Sequence, residues 1–264
     1  MDAIQTVILA LVQGVTEFLP ISSSAHLVLV PYVFGWHDQG LAFDVAVHVG
    51  SLVAVVTYFS RDLNAMIRGW CAGVAGGIST PDSRLAWAVI IGTIPVVALG
   101  PLVNMVSEHL RDPVIIAAAT GIFALALWWA DGYARADHDE YGLTWRQVLI
   151  IGFAQVLALI PGTSRSGITI TAGLALGLSR RSASRFSFLL AIPVILAAGV
   201  LKTSELVASP DPAPWPFLLL GVVVSGLAAY ACIHWFLRLV ERVGMLPFVV
   251  YRILLAVVLL LIYL

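Results

Sequence analysis

The chain has 264 residues, of which 60% are hydrophobic and 11% are charged, with a formal net charge of -1. A water-soluble domain carries about 25% charged residues, so this composition leaves too little polar surface for a soluble globule. The near-zero net charge provides no field that would favour nucleic acid. The sequence therefore predicts a membrane protein. Its two cysteines lie in or beside apolar segments, so no disulfide framework is expected.

Apolar segments follow one another along the whole chain. In two neighbouring pairs the second segment has only about 12 residues, too few to cross the ~30 Å of hydrocarbon in a bilayer. These pairs are predicted to be re-entrant, so the expected fold is an all-α polytopic membrane protein with about six transmembrane helices and two re-entrant helix pairs. The segments fall at about 3–19 paired with 24–35, then 42–60, 85–106 and 113–130, then 147–160 paired with 167–178, and finally 185–203, 215–237 and 247–264.

The two halves of the chain resemble each other at the interruptions inside these pairs. With an offset of 141 residues, Pro20 aligns with Pro161 and Ser23 aligns with Ser164. Each interruption is followed by a short helix and three longer apolar segments, and three crossings per half require the second half to be inverted. Inverted repeats with interrupted helices build a binding site near the middle of the bilayer. We therefore expect the two interruptions to meet, because irregular backbone at that depth must line a cavity or be buried in protein.

The chain is predicted to form a single membrane domain, 1–264, with repeat 1 at about 1–130, a cytoplasmic linker at about 131–146 and repeat 2 at about 147–264. Loops rich in arginine and lysine stay on the cytoplasmic side of a membrane. One set of loops contains only Arg111 and Lys202, so both termini are predicted to face outward with that set. The opposite, cytoplasmic set contains Arg61, Arg68, Arg84, Arg135, Arg146, Arg180, Arg181, Arg185, Arg238 and Arg242.

The first interruption carries polar residues where hydrocarbon is expected. Gln13 and Glu17 are four residues apart and project from one helical face. A carboxylate inside a membrane is costly unless it is paired or hydrated, so Glu17 is interpreted as functional. Ser23 and His26 lie three residues apart on the next short helix, and a serine near a histidine is typical of an activated nucleophile. Serines that follow a proline also cap helices, so each serine alone has a structural explanation too.

The second interruption, 161–169, has the features of an anion site. Free N–H groups at a helix start near Ser164, with the positive end of the helix dipole, favour a phosphate. The planar donor fork of Arg165 suits phosphate oxygens, and Ser166 and Thr169 add hydroxyl groups. The spacing does not match the GxxxxGK[ST] pattern of a P-loop. The structural alternative is a capped loop whose arginine pairs with Glu17.

Other polar residues keep two interpretations open. Arg252 lies inside the last apolar run, where it either completes the phosphate site or snorkels to the cytoplasmic surface. Asp44 and His48 lie one turn apart at the start of the third segment, either as interfacial residues or as part of the site. A carboxylate beside an amide suits a divalent cation, so Gln13 and Glu17 are the candidate metal ligands.

Together these motifs make the chain resemble the undecaprenyl pyrophosphate phosphatases of bacteria, also called bacitracin-resistance proteins, over essentially its whole length. The first signature of that family, (E/Q)xxxE followed by FLPxSSxxH, is similar to residues 13–26. The second, PGxSRSxxT, is similar to residues 161–169, and the family's late arginine matches Arg252. Gln13 stands where many members have glutamate, which predicts weaker or different cation coordination there, and Ala25 stands where glycine is common.

The resemblance implies a phosphatase of the bacterial inner (plasma) membrane that removes the terminal phosphate of undecaprenyl pyrophosphate and regenerates the lipid carrier for cell-wall synthesis. It implies a polyprenyl pyrophosphate substrate, membrane lipid as surroundings, no nucleic acid partner and a divalent cation, Mg²⁺ or Ca²⁺. A homodimer is a candidate assembly. The residues that it implies are Glu17, Ser23, His26 and Arg165 for catalysis, and Ser164, Arg165, Ser166, Thr169 and Arg252 for phosphate binding.

Two questions of chemistry and class stay open at this point. Ser23 is the expected nucleophile with help from His26, and direct attack by an activated water is the alternative. A phosphatase of the phosphatidic-acid type would need an upstream KxxxxxxRP signature, and the only lysine is Lys202. A lipid-phosphate transporter or flippase is the alternative from another class, because inverted repeats with broken helices are typical of transporters.

Overall fold

The computed structural model describes residues 1–104, 112–134, 136, 138–207 and 215–263. Within these ranges it contains α-helices and short 3-10 turns, which confirms the predicted all-α fold. Arg111 and Arg135, used above to predict orientation, lie outside the described residues. The helices are α1 (Ala3–Thr16), α2 (Ser23–Phe34), α3 (Gly40–Tyr58), α4 (Ser60–Val74), α5 (Pro81–Asn104), α6 (Pro113–Gly132), α7 (Trp145–Val156), α8 (Arg165–Ala175), α9 (Arg180–Val207), α10 (Trp215–Val243) and α11 (Leu246–Tyr263), with 3-10 turns at Glu140–Gly142 and Leu157–Leu159.

Six of the described helices are long and apolar enough to cross a membrane, namely α3, α5, α6, α9, α10 and α11. This confirms the predicted number of spans. The other apolar helices are short: α1 has 14 residues, α2 and α7 have 12 each, and α8 has 11. At 1.5 Å per residue, 12 residues extend only about 18 Å, well short of the hydrocarbon thickness. The short helices form the two expected pairs, α1 with α2 and α7 with α8; their re-entrant course stays a prediction.

Local capping explains where several of these helices begin and end. The Asp2 side chain accepts a hydrogen bond from the Gln5 backbone N–H, and the Gln5 side-chain oxygen accepts one from the Asp2 backbone N–H, which makes a capping box at the start of α1. Thr144 and Gln147 repeat the same arrangement at the start of α7. Helix α2 ends at Gly35, whose φ of 64° is the left-handed conformation that glycine adopts without a steric penalty.

Helix α4 is the one long element that the apolar segments did not predict. Its sequence mixes polar and apolar residues, and Met66 is its buried side chain among exposed or half-buried neighbours. Asp62 near its start accepts a hydrogen bond of 2.8 Å from Arg185 of α9, which also donates to Glu140 at 2.5 Å. These ion pairs connect α4, a 3-10 turn and α9 at the end that the sequence predicts to be cytoplasmic.

Helix α10 is the packing partner of both α1 and α3. The backbones approach closely around Ser225, because the facing positions on the neighbouring helices are Gly14 and Gly50. A Cβ on Gly14 would lie 2.7 Å from Ala228 Cβ, and a Cβ on Gly50 would overlap Ser225 Oγ and the Val222 carbonyl. The buried Ser225 hydroxyl also donates to the Val47 carbonyl at 3.0 Å. Small residues at such crossings let membrane helices gain packing and interhelical hydrogen bonds.

We expect Gly50→Ala to lower the thermal unfolding midpoint of the detergent-purified protein. The added methyl group meets a backbone carbonyl and must push α3 and α10 apart, which costs about 1–3 kcal/mol for overpacking. Gly100→Ala is the matched control, because a Cβ at Gly100 has nothing within 4 Å. That control should keep or raise the midpoint, since alanine favours a helix over glycine. Equal midpoints for Gly50→Ala and wild type would contradict the close crossing.

Candidate active site

The two interruptions share one backbone geometry. Ser22 and Ser164, each directly before a short helix, have φ values of 72° and 69°, which non-glycine residues rarely adopt. In each, the serine hydroxyl lies beside the hydroxyl of the serine two residues later, at 3.3 Å for Ser24 and 3.2 Å for Ser166. The geometry therefore pairs Ser22 with Ser164, 142 positions apart, and shifts the predicted offset of 141 by one. The second interruption has one more residue between its proline and this serine.

Glu17 lies at the C-terminal end of α1 and joins the two interruptions. Its Oε2 accepts hydrogen bonds from Gln13 Nε2 at 3.0 Å and from Ser23 Oγ at 2.8 Å. Its Oε1 accepts from Arg165 Nη2 at 3.1 Å, across 148 positions of sequence. The Glu17 side chain is only 8% exposed, so these contacts supply the pairing that a buried carboxylate needs.

Arg165 begins α8 and is held on several sides. Besides Glu17, its guanidinium donates through Nη1 to the Ser187 carbonyl of α9 at 3.0 Å. The guanidinium carbon lies 5.9 Å from the centre of the Phe18 ring, a cation–π distance. With its side chain 13% exposed, Arg165 presents a fixed positive charge to the space beside Glu17.

The other residues predicted from the second interruption divide into two groups. The Ser164 hydroxyl accepts a hydrogen bond from the Gly167 N–H at 3.1 Å, as a helix cap does, and Ser164 also borders the cavity described below. Ser166 donates to the Leu19 carbonyl at 2.8 Å, and Thr169 lies 2.7 Å from the Ser187 hydroxyl. Ser166 and Thr169 are almost fully buried, so phosphate contact by them stays a prediction.

Arg252 is fully buried in α11 and contacts backbone rather than a cavity. Its Nη2 donates to the carbonyls of Gly162 and Thr163 at 3.1 and 2.8 Å. Its Nη1 donates to the Pro20 carbonyl at 3.4 Å, and its Nε donates to the Thr120 carbonyl at 3.3 Å. Arg252 thus fastens both interruptions to α6 and does not snorkel. The phosphate contact implied by the resemblance stays a prediction.

His26 contacts Tyr251, a residue that sequence reasoning missed. A backbone carbonyl only accepts, so the 2.7 Å contact between His26 Nδ1 and the Ser22 carbonyl places the proton on Nδ1. Nε2 therefore accepts from the Tyr251 hydroxyl at 2.5 Å. Both ring nitrogens of His26 are thus engaged by other partners, and the Ser23 hydroxyl donates to Glu17 instead. The sequence signal for Tyr251 was its position directly before Arg252 in the last apolar run.

One polar cavity of about 350 Å³ collects the reactive groups. Glu17, Ser23 and Arg165 border it, together with the starts of α2 and α8. Asp44 and His48, left open by the sequence, also border it, which places them in the site. Its complete lining is Glu17, Ser22, Ser23, Ser24, Leu41, Asp44, Val45, His48, Ala158, Ile160, Gly162, Ser164, Arg165, Val194, Ile195, Ala198, Gly199 and Lys202.

The residues around this cavity fit a divalent cation that takes some of its ligands from the protein and the others from a substrate. Among the described residues, no group of three or more His, Cys, Asp or Glu side chains is arranged to hold a metal ion. Mg²⁺ in phosphoryl-transfer sites uses one or two carboxylates and takes its other ligands from phosphate and water. Glu17 and Asp44 are two such carboxylates on the wall. Gln13 directs its amide nitrogen to Glu17, while its buried Oε1 has no hydrogen-bond partner.

Comparison with known proteins gives a consistent result over the whole chain. The sequence model of a family described as bacitracin resistance protein BacA matches residues 6–258. Undecaprenyl-diphosphatase 2 of Stutzerimonas stutzeri (strain A1501) is 56% identical over 267 residues, covering 100% of this chain and 99% of that protein. The undecaprenyl-diphosphatases of Nitrosococcus oceani and Chromohalobacter salexigens are also 56% identical, over 260 and 261 residues, with 98% of each chain covered.

Proposed function

The chain belongs to the bacitracin resistance protein BacA family, and from that premise we infer that it is a membrane-bound undecaprenyl-diphosphatase. Such an enzyme hydrolyses undecaprenyl pyrophosphate to undecaprenyl phosphate and inorganic phosphate, which recycles the carrier lipid for cell-wall synthesis. The observation that carries this function is the meeting of Glu17, Ser23 and Arg165 on one intramembrane cavity. The relatives are named as hydrolases, so the transporter alternative is not favoured.

The geometry supports a two-step reaction through Ser23. The Ser23 hydroxyl already donates to Glu17, so Glu17 takes its proton as the oxygen attacks the terminal phosphorus. The bond between that phosphorus and the bridging oxygen breaks, and undecaprenyl phosphate leaves with the electron pair. Water then attacks the phosphoserine, Glu17 returns its proton to the departing Ser23 oxygen, and phosphate leaves with both hydrogens of the water. Direct attack by a water that Glu17 activates is the alternative.

Electrostatic stabilisation of the transferring phosphoryl group falls to Arg165 and two helix N-termini. Phosphoryl transfer depends mainly on positioning and on positive groups directed at the equatorial oxygens. Helix α2 starts at Ser23 and α8 starts at Arg165, and both residues border the cavity, so the positive ends of the two helix dipoles lie at its wall. Arg165 adds a full positive charge that is already fixed before substrate binds, so little reorganisation is needed during the reaction.

We propose that a divalent cation, Mg²⁺ or Ca²⁺, binds together with the diphosphate, held by Glu17 and Asp44. When bound, it would neutralise charge on the phosphate oxygens. The sequence-based choice of Gln13 as a ligand requires its amide to turn, because its nitrogen now faces Glu17. Gln13 therefore acts in this structure as a donor that orients the Glu17 carboxylate.

The protein is a multi-pass membrane protein, and we propose that it lies in the bacterial inner membrane with both termini on the outer face. The start of α3 and the end of α9 border the cavity through Leu41, Asp44, Gly199 and Lys202. The arginine-rich loops lie at the opposite ends of these helices. In this orientation the cavity opens towards the outer side. A homodimer stays a prediction.

Phosphate release from undecaprenyl pyrophosphate by purified protein in detergent tests the proposed function. We expect wild-type activity with divalent cations, and losses of about 10²-fold or more for Glu17→Ala and Arg165→Ala. Each removes one partner of the pair that joins the interruptions. Glu241→Ala and Arg146→Ala are matched controls at exposed positions and should retain activity. A folded wild-type protein that binds the lipid but releases no phosphate would contradict the hydrolase proposal and favour the transporter alternative.

A further inference from the structure

The polar cavity continues into an apolar groove between α3 and α9. This groove has a volume of about 290 Å³ and shares four residues with the cavity, namely Val45, His48, Ile195 and Gly199. Apart from His48 and Thr203, its lining is aliphatic or glycine. Its complete lining is Val45, His48, Val49, Leu52, Ile195, Leu196, Gly199, Val200 and Thr203.

The groove lies on the surface that the bilayer covers. Val49, Leu196 and Val200 of its lining are 38%, 54% and 62% exposed, and all three belong to membrane-spanning helices. In hydrocarbon, such a surface is open to apolar chains that approach sideways. An isoprenoid chain can therefore lie in the groove while its head group occupies the polar cavity.

His48 lies at the junction between cavity and groove, and its ring orientation is fixed. Its Nδ1 donates to the Asp44 carbonyl at 2.7 Å, one turn earlier in α3. Its Nε2 lies 3.8 Å from Glu17 Oε2, so this nitrogen faces the reactive groups. Nε2 is therefore the ring atom that a ligand in the cavity meets.

A lipid diphosphate has its second phosphate one bridging oxygen away from the first, on the lipid side. With the terminal phosphorus at Ser23 and the chain in the groove, the second phosphate falls at the junction. We propose that His48 binds the lipid-side phosphate and that the prenyl chain leaves between α3 and α9. This assignment rests on the proposed function and deepens it, because it names the residue that distinguishes a lipid diphosphate from free phosphate.

The chemistry gives His48 a distinctive kinetic signature. The lipid-side phosphate stays on the leaving group and gains the electron pair when the bond breaks, so its contact with His48 persists and strengthens as the reaction proceeds. An interaction made in the ground state and strengthened in the transition state affects both KM and kcat, so its loss lowers kcat/KM. The product undecaprenyl phosphate keeps this contact, whereas inorganic phosphate does not make it.

The test compares His48→Leu with wild type in steady-state hydrolysis and in product inhibition. We expect kcat/KM for undecaprenyl pyrophosphate to fall and the inhibition constant of undecaprenyl phosphate to rise, each about tenfold, as for loss of a hydrogen bond to a charged group. The inhibition constant of inorganic phosphate should stay within about twofold of wild type. His48→Gln, which keeps a hydrogen-bonding side chain, should give intermediate values, and exposed His37→Leu should behave as wild type.

A second variant tests the groove. Gly199→Leu places a side chain at the junction, where a Cβ meets nothing within 4 Å, so the helix should fold normally. It should raise KM for undecaprenyl pyrophosphate, while Gly100→Leu on α5 should not. A parallel loss of inhibition by inorganic phosphate in His48→Leu, or an unchanged inhibition constant of undecaprenyl phosphate, would overturn the proposal. Unchanged kcat/KM in both His48→Leu and Gly199→Leu would overturn it as well. Absence of activity in wild type would instead contradict the proposed function itself.

Discussion

Replacing Ser23 by alanine should lower phosphate release at least about 10³-fold, because catalytic groups that act as one unit lose most of their effect together. The Ser23 hydroxyl donates to Glu17 at 2.8 Å and sits at the start of α2, on the same cavity as Arg165. Rapid quench with substrate labelled in the terminal phosphate checks the chemistry directly. Wild type should yield labelled protein, and Ser23→Ala should yield none.

Ser24→Ala is the matched control for this result. Ser24 lies one residue further along α2, borders the same cavity and contacts the Ser22 hydroxyl instead of Glu17. It should keep activity within about tenfold of wild type. If wild type yields no labelled protein while Ser23→Ala is inactive, the water mechanism replaces the serine. If Ser23→Ala retains the label, the nucleophile lies elsewhere.

The sequence and the structure point to different candidate bases for Ser23. The sequence predicted His26, because three residues bring two side chains to one helical face. That spacing is correct, but the structure directs His26 to Ser22 and Tyr251, which lies 225 positions away. Glu17, six residues before Ser23, reaches the hydroxyl because the chain turns back at Pro20. Local periodicity predicts which side chains share a face, and it does not predict which distant partner that face meets.

The sequence predicted the fold well wherever apolar length was the deciding property. Six spans and two interrupted pairs follow from the thickness of hydrocarbon, which acts on every segment alike. Helix α4 was missed because its mixed polarity carries no such signal, and its position depends on the ion pairs of Arg185 with Asp62 and Glu140. The predicted offset of 141 residues between the interruptions is one residue smaller than the offset in the structure. The prediction aligned the prolines, whereas the shared backbone geometry lies at Ser22 and Ser164.

Arg252 shows why the role of a polar residue in an apolar run has two interpretations between which the sequence alone does not decide. Interrupted helices leave carbonyls without intrahelical partners, and hydrocarbon offers no water to satisfy them. An arginine with five N–H donors can serve either a substrate phosphate or these carbonyls. Here it donates to four carbonyls from three parts of the chain. Gly167 leaves room for it, because a Cβ there would lie 2.6 Å from Arg252 Nη1.

Arg252→Met should therefore destabilise the fold by at least about 3 kcal/mol, since each buried carbonyl left without a donor costs about 1–3 kcal/mol. The thermal unfolding midpoint in detergent measures this directly. Arg252→Lys keeps the charge but offers a single nitrogen, so its midpoint should fall between those of Arg252→Met and wild type.

Arg238→Met, at an exposed position of α10, is the control and should leave the midpoint unchanged. The informative comparison is between stability and substrate affinity in Arg252→Met. If Arg252 holds the two interruptions together, the unfolding midpoint of Arg252→Met falls. The protein that remains folded then has a lower kcat, because Glu17, Ser23 and Arg165 are no longer brought together. If the midpoint of Arg252→Met equals that of wild type while KM rises, the arginine contacts the substrate phosphate, as the family resemblance implies. In that case the backbone contacts seen here are exchanged for phosphate contacts when substrate binds.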